Sequence, residues 1–234
     1  MKLAIATPFY SMTGYSPYIT ALTQTAQILC KTGVDWEYWD YSGDAYIDRA
    51  RNMLVYRFFT SDCTDLLFID SDLSWDPMGL VHLLKSPYEL TGGVYPIKNN
   101  WEHFTESIIY DGNHAPVQDL STGLIESVWL PAGFMRIRRS CVDRMYEAYK
   151  DNWFYSSAGE HIPNLFECSV NHEHYRVGED VEFCKKWTDI GGKCWIEPRI
   201  TFNHAGVKLY EGNLHEHLLR LIEEQRVINA VKQG

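Results

Sequence analysis

A chain of 234 residues that is 45% hydrophobic, 14% aromatic and 22% charged has ample apolar area for one folded domain, which excludes a disordered polymer. Its formal charge of −10, from 21 Lys and Arg against 31 Asp and Glu, sets up a surface field that repels nucleic-acid backbones and anionic membranes. The opening MKLAIATPFY is too weakly charged and too briefly apolar for a signal peptide, no run of about eighteen apolar residues follows, and the six cysteines lack CxxC spacing, so a soluble cytoplasmic chain with reduced, mostly buried thiols is expected.

KLAIAT is short, apolar and partly β-branched, as a buried strand of a parallel sheet is. After a polar loop, Ser16 offers an N-cap and Pro17 a first helical position. Ile19, Leu22, Ala26 and Leu29 then recur at helical spacing until Gly33 closes the segment. Val34, Trp36 and Tyr38 alternate as in a second strand. Asp44 is a candidate cap for a helix from about Ala45 to Phe59, which has Ile47, Ala50, Leu54 and Phe58 on its apolar face. On another face Asp48, Arg51 and Asn52 stand at i, i+3 and i+4 and present together. Leu66 to Asp70 is a third strand, and the order β-α-β-α-β implies an α/β fold with a mostly parallel sheet flanked by helices.

The later segments are less regular. ELTGGVYP and ESVWLPAGFMRIRRS read as strands, Ser140 is a candidate cap for the helix CVDRMYEAYK, and VGEDVEFCKKWTDIGG reads as a helix ended by glycine. Residues 152–176 have no period and read as loop, where a substrate-specific region is tolerated. The tail NLHEHLLRLIEEQRVINAVK is an amphipathic helix for packing on the body or on a second subunit.

LLFIDSDLSWDP sets a buried strand against three carboxylates. In an extended segment Asp70 and Asp72 leave the same face, with Ser71 pointing away, and they stand at the carboxyl end of a strand, where α/β sheets bind ligands. Two hard oxygen ligands there suit Mg²⁺ or Mn²⁺ that keeps open positions for phosphates; the competing reading is a strand that has simply ended. Asp76, before Pro77, reads as a helix cap.

Taken in order, LLFIDSDLSWDP, GGVYPIK, LPAGFMRIRR, GEDVEFCKKW and TFNHAG resemble the GT-A glycosyltransferases, particularly the small stand-alone members carried by bacteriophages. The resemblance runs from Leu3 to about Gly206. It implies a single Rossmann-like nucleotide-sugar-binding domain over 1–234, with a donor half at 1–100, an acceptor and catalytic half at 101–210, and a C-terminal helix at 211–234. It also implies a metal, Mn²⁺ or Mg²⁺, on Asp70, Asp72 and His204, with Asp70 and Ser71 near the donor ribose; for His204 a core histidine bonded to backbone is the alternative. Thr7, Pro8 and Tyr10 would flank the base. Asp48, Arg51 and Asn52 would hold nucleotide, although an Arg51–Asp48 ion pair on a solvated face is equally compatible with the helix. Lys98 would neutralise phosphate, or simply be an exposed lysine. Gly133 would let backbone approach the donor sugar, while Trp101, Glu102 and Phe134 would form an acceptor wall.

In the same resemblance GED supplies a catalytic base, Asp180, with Glu179 beside it; two acids in the first turn of a helix are the alternative. The implied activity is metal-dependent transfer of a sugar from a nucleotide-sugar donor, UDP-sugar favoured, to a hydroxyl acceptor with inversion. The acceptor could be a glycan, a protein, a small molecule or a modified DNA base. A nucleotidyltransferase competes, but it is expected to carry a basic glycine-rich loop after the first strand, and TPFYSMTG has neither Lys nor Arg. A non-catalytic carbohydrate-binding protein also competes, yet it needs no metal plus base. HxH pairs at His172/His174 and His215/His217 invite a zinc reading without HExxH spacing, and Walker, GxGxxG and GxSxG motifs are absent.

Overall fold

Alternate residues of the first and third strands face opposite sides of one sheet, and that alternation builds a three-layer molecule. In a computed structural model that describes residues 1–99 and 103–233, the chain opens as β1 (Lys2–Phe9), α1 (Ser16–Thr32), β2 (Asp35–Ser42), α2 (Ile47–Thr60) and β3 (Asp65–Ile69). It continues through β4 (Leu73–Trp75), α3 (Pro77–Lys85), β5 (Leu90–Gly92), β6 (Ile125–Ser127), β7 (Phe134–Arg138) and α4 (Arg139–Ala148). Two hairpins follow, β8 (Trp153–Tyr155) with β9 (His161–Pro163) and β10 (Ser169–Val170) with β11 (Arg176–Val177). The chain ends with α5 (Glu179–Asp189), β12 (Cys194–Ile196), β13 (Thr201–Ala205), β14 (Leu209–Asn213) and α6 (Leu214–Gln233).

The main sheet has the order β2-β1-β3-β7-β5-β12-β6. The strand pairings make β2, β1, β3, β5 and β12 run the same way, while β7 and β6 oppose them. Leu3, Ile5, Leu67 and Ile69 pack with Tyr18, Ala21 and Leu29 of α1 and Leu80 and Leu83 of α3. Ala4, Ala6, Leu66 and Phe68 pack on the other side with Leu54, Val55 and Phe58 of α2, Met145 of α4 and Phe183 of α5. Leu66 to Ile69 are fully buried, and each such side chain contributes about 1.5–3 kcal/mol, so the end of β3 is a rigid place to mount functional groups. A smaller antiparallel sheet, β14-β13-β4, crosses above that end.

Helix ends correct several expectations. Tyr15, not Ser16, occupies the N-cap of α1; Pro17 stands in the first turn and Gly33 takes the left-handed C-cap at φ 69°. Asp44 lies upstream of α2 rather than at its cap, accepting from Tyr46 N and pairing with Arg49. Ser140 lies inside α4, whose N-cap is Arg138. Asp76 does cap α3, accepting from Met78 N at 3.0 Å. The 152–176 stretch is two short hairpins instead of loop: each pairs only two or three residues per strand, too few to show a period in sequence.

Candidate active site

Asp70 to Leu73 is a turn closed by Leu73 N to Asp70 O at 3.1 Å, so the extended geometry expected for the two aspartates does not apply. The turn divides them. Asp70, whose amide bonds Gly133 O at 2.9 Å, turns its carboxylate toward α2; Asp72 turns toward β13.

Arg51 receives Asp70. Its guanidinium donates to Asp70 Oδ1 at 3.0 Å, Glu179 Oε1 at 3.2 Å and Ala132 O at 3.2 Å, and it lies over the Phe68 ring at 5.3 Å. The residue is 3% exposed. Burial alone would lower its pKa, but Asp70 and then Glu179 outweigh that and raise it, so the group is a permanent cation. An Arg51–Asp48 pair does not form: Asp48 Oδ1 accepts from Arg49 N instead. Arg51 is therefore engaged by protein on three sides, as a positioning residue that ties β3, the loop before β7 and α5 together. Asn52 is 1% exposed and turned away from the nucleotide role, because its amide clamps backbone at Leu165 N, Phe166 N and Phe166 O.

His204 stands across the antiparallel register from Leu73, and Ala205 N bonds Asp72 O at 2.7 Å, so the small sheet delivers the imidazole to Asp72. Nδ1 lies 2.9 Å from Pro96 O, a carbonyl that can only accept, so this nitrogen carries the proton. Nε2 then faces Asp72 Oδ2 at 3.5 Å. In neutral imidazole these are two acceptors face to face, a pair that a cation reconciles. Lys98 Nζ, 2.5 Å from the same Oδ2, supplies one here. Burial would raise the Asp72 pKa, but a protonated His204, donating from Nε2, and Lys98 outweigh it and hold the carboxyl below its ordinary value.

An Nε2 whose partner nitrogen is fixed by a carbonyl, beside an ionised carboxylate, fits a divalent cation that takes its remaining ligands from water and phosphate. The expected triad is looser than foreseen, because Arg51 draws Asp70 aside. Among the described residues, the group of three potential ligands whose atoms lie within 4.8 Å of one another is Glu37, Asp62 and Cys63. It sits at the opposite end of the strands, where Lys2 Nζ already bonds Glu37 and Asp62 at 2.6 Å each.

Asp180 accepts from Val181 N at 2.9 Å and from the Ala132 amide. Burial, and then the neighbouring Glu179, push its pKa up despite Arg51. A carboxylate destabilised as an anion is suited to taking a proton. Tyr95, which sequence reasoning passed over, completes the floor. It is buried, its ring meets His204 edge-on at 5.1 Å, and burial and then Asp70 hold its phenol well above the ordinary range. A Cβ at Gly133 would stand 2.3 Å from the Tyr95 hydroxyl and 2.8 Å from Asp70 Oδ2, so glycine is required for both to reach the site. A single buried Tyr in GGVYP carries no motif that could have marked it.

The remaining expected residues fall as follows. Tyr10 is exposed beyond β1, but Thr7 and Pro8 are buried, and the Thr7 hydroxyl is 2.6 Å from Tyr18 Oη. Ser71 O accepts from Tyr15 N. Phe134 is no acceptor wall: it is fully buried against Trp75 and Phe202. Trp101 and Glu102 lie outside the described residues. His172 and His174 occupy an exposed hairpin tip, and neither belongs to a cluster of ligands among the described residues.

Five co-directional strands with two opposed, helices on both faces and carboxylates at the carboxyl edge make this a three-layer α/β fold with a mostly parallel sheet. Among solved structures, A197 from STIV shares it over 88% of this chain and 86% of that one, at 15% identity and a TM-score of 0.51. GalNAc-T7, solved with UDP, GalNAc and Mn²⁺, aligns at 11% identity and a TM-score of 0.49 over 84% of this chain and 42% of that one. S. aureus TarS (residues 1–349) aligns at 12% and 0.45, over 84% and 58%. No family model and no curated protein matches the chain. No helix among the described residues is long and apolar enough to cross a membrane.

Proposed function

We propose that this chain is a glycosyltransferase that moves a sugar from a nucleotide-sugar donor, UDP-sugar favoured, to a hydroxyl acceptor with inversion. The observation that carries the reading is the facing of Asp72 Oδ2 and His204 Nε2 at 3.5 Å at the sheet's carboxyl edge. Around them Asp70, Glu179 and Asp180 add negative charge that Arg51 and Lys98 do not fully balance. Asp72 and His204 would hold Mn²⁺ or Mg²⁺, with Asp70 in support, and the bound ion would supply charge compensation for the departing diphosphate.

The protein's own part is positional. Arg51 fixes Asp70 and Glu179, which leaves Asp180 to draw the proton from the acceptor hydroxyl, a contribution of about 10²–10⁴ in rate. Lys98, held on Asp72 at 2.5 Å, would be the residue to neutralise a donor phosphate. Tyr10 is the reachable candidate beside the base. The donor half is 1–100 and the acceptor half 101–210.

Thermal melting with UDP, GDP and UDP-sugars, each with and without Mn²⁺, tests the proposal. The expected result is a rise in Tm that needs diphosphate and metal together and is lost in Asp72→Asn. A rise indifferent to metal or to that substitution would overturn it. Binding without donor hydrolysis or transfer would leave a carbohydrate-binding protein on the same fold.

A further inference from the structure

The β8–β9 hairpin sends Phe154 and Ile162 inward and leaves Trp153, Tyr155 and His161 on its outer face. Ile162 is fully buried, whereas Trp153 and Tyr155 are 41% and 62% exposed. Trp153 stacks on His161 at 3.9 Å and 18°, and the Tyr155 ring meets both edge-on at 4.9 and 4.7 Å. Pairing of Tyr155 with His161 across the hairpin holds this platform in register. Nothing in the core requires three aromatic rings in water, since the hairpin docks by its other face.

Tyr155 lines a cleft of about 210 Å³ with Tyr41, Arg49, Met53, Ser156 and Ser157, while Trp153 and His161 line a second one of about 160 Å³ with Tyr149 and Lys150, whose charge Glu147 balances at 3.2 Å. Arg49 is held in the first by Asp44 through two bonds of 2.7 Å, so its charge is balanced too. The clefts thus offer hydroxyls and rings without net positive charge. A phosphate chain finds no uncompensated cation, and the overall charge of −10 opposes it further. A neutral sugar fits: its C–H faces stack on electron-rich rings while its hydroxyls bond the rim.

The platform hairpin also packs through β9 on α2, the helix of Arg51, and the segment after it leads to the second hairpin and α5. Asn52, next to Arg51 on α2, clamps the backbone at 165–166 between the two hairpins, and β11 runs directly through Gly178 into Glu179 and Asp180. Lys186 of α5 bonds Asn164 O at 2.8 Å and Glu167 at 2.5 Å from the other side.

We propose that the Trp153–Tyr155–His161 face and its clefts bind a neutral oligosaccharide, the non-reacting units of a glycan acceptor. The inference rests on the glycosyltransferase reading for the acceptor role, and on the hairpin alone for sugar binding. Calorimetric titration of the full chain with cellotetraose, chitotetraose, maltotetraose and laminaritetraose, and with the oligonucleotide dT8, tests it. The expected result is saturable binding of at least one tetrasaccharide, weakened tenfold or more in Tyr155→Ala and kept in Tyr155→Phe, with no binding of dT8. No tetrasaccharide binding, equal binding by Tyr155→Ala with an unchanged Tm, or tighter binding of dT8 would overturn it. The melting response to UDP with Mn²⁺, measured on the same samples, separates the two proposals: its absence beside retained sugar binding would remove only the transferase.

Discussion

Arg51 decides the shape of the site, because one buried guanidinium spans Asp70, Glu179 and Ala132 O. Replacing it with Met leaves two carboxylates without their counter-ion, and losing one partner of a buried charge group costs about 3–5 kcal/mol. Arg51→Met should therefore lower the urea midpoint sharply, with Arg51→Lys intermediate because a point charge cannot reach all three acceptors; midpoints equal to the parent would refute the clamp. Asp180 is the opposite case. Burial and Glu179 raise its folded pKa, so the stability associated with it is complete below the ordinary carboxylate range and is lost as pH rises through the raised value. Asp180→Asn should thus melt no lower than the parent at pH 7, with the difference fading as pH falls below about 4. The same substitution should cut transfer about 10²–10⁴-fold and abolish the acid limb of the rate profile. A variant that melts lower at pH 7 while keeping full activity would show a structural acid.

At the scale of elements, much was legible because it rests on local periodicity. The alternation in KLAIAT and LLFI is the pattern that forms the two faces of the sheet. The helical faces are less exact: α1 buries Tyr18, Ala21, Thr25 and Leu29 and leaves Ile19 51% exposed, while α2 buries Ala50, Leu54 and Phe58 but leaves Ile47 41% exposed. The ordered motifs single out Asp70, Asp72, Asp180 and His204; of these Asp72 and His204 face each other, while Asp70 is drawn to Arg51. What sequence could not show is which side chain answers which. Helical spacing offers Arg51 either Asp48 or a nucleotide, whereas its carboxylate partners lie 19 and 128 residues away, set by tertiary packing alone. The turn at 70–73 likewise follows from β4 crossing to β13, a pairing across more than 120 residues. The loop before β7 shows how such closure is felt locally. Gly133→Ala would drive a Cβ into Tyr95 Oη and Asp70 Oδ2, both fixed, so it should cost about 1–3 kcal/mol and weaken nucleotide binding. An alanine variant with parental Tm and parental UDP response would show that the loop yields freely.

The whole molecule ends in a helix that the body only half uses. Leu214 is buried and Leu218 packs on the core, yet farther along α6 Leu221, Ile222, Val227 and Ile228 are 46–56% exposed. Leu221 and Ile228, a heptad apart with Gln225 between them, continue the stripe by which Leu214 and Leu218 pack on the body, and this exposed end suits a second copy of the chain. Charge acts against it: two bodies of −10 repel over a Debye length of about 30 Å at 0.01 M salt, but over only about 3 Å at 1 M. Apolar burial is not weakened by that screening. Self-association should therefore tighten with salt, the reverse of an interface built on ion pairs. Sedimentation velocity across protein concentration is expected to show a monomer at low salt and a dimer at high salt. Leu221→Glu combined with Ile228→Glu should remain monomeric throughout, with a Tm close to the parent because neither side chain contributes to the core. A dimer that dissolves as salt rises, or one that survives both glutamates, would place the contact elsewhere than α6.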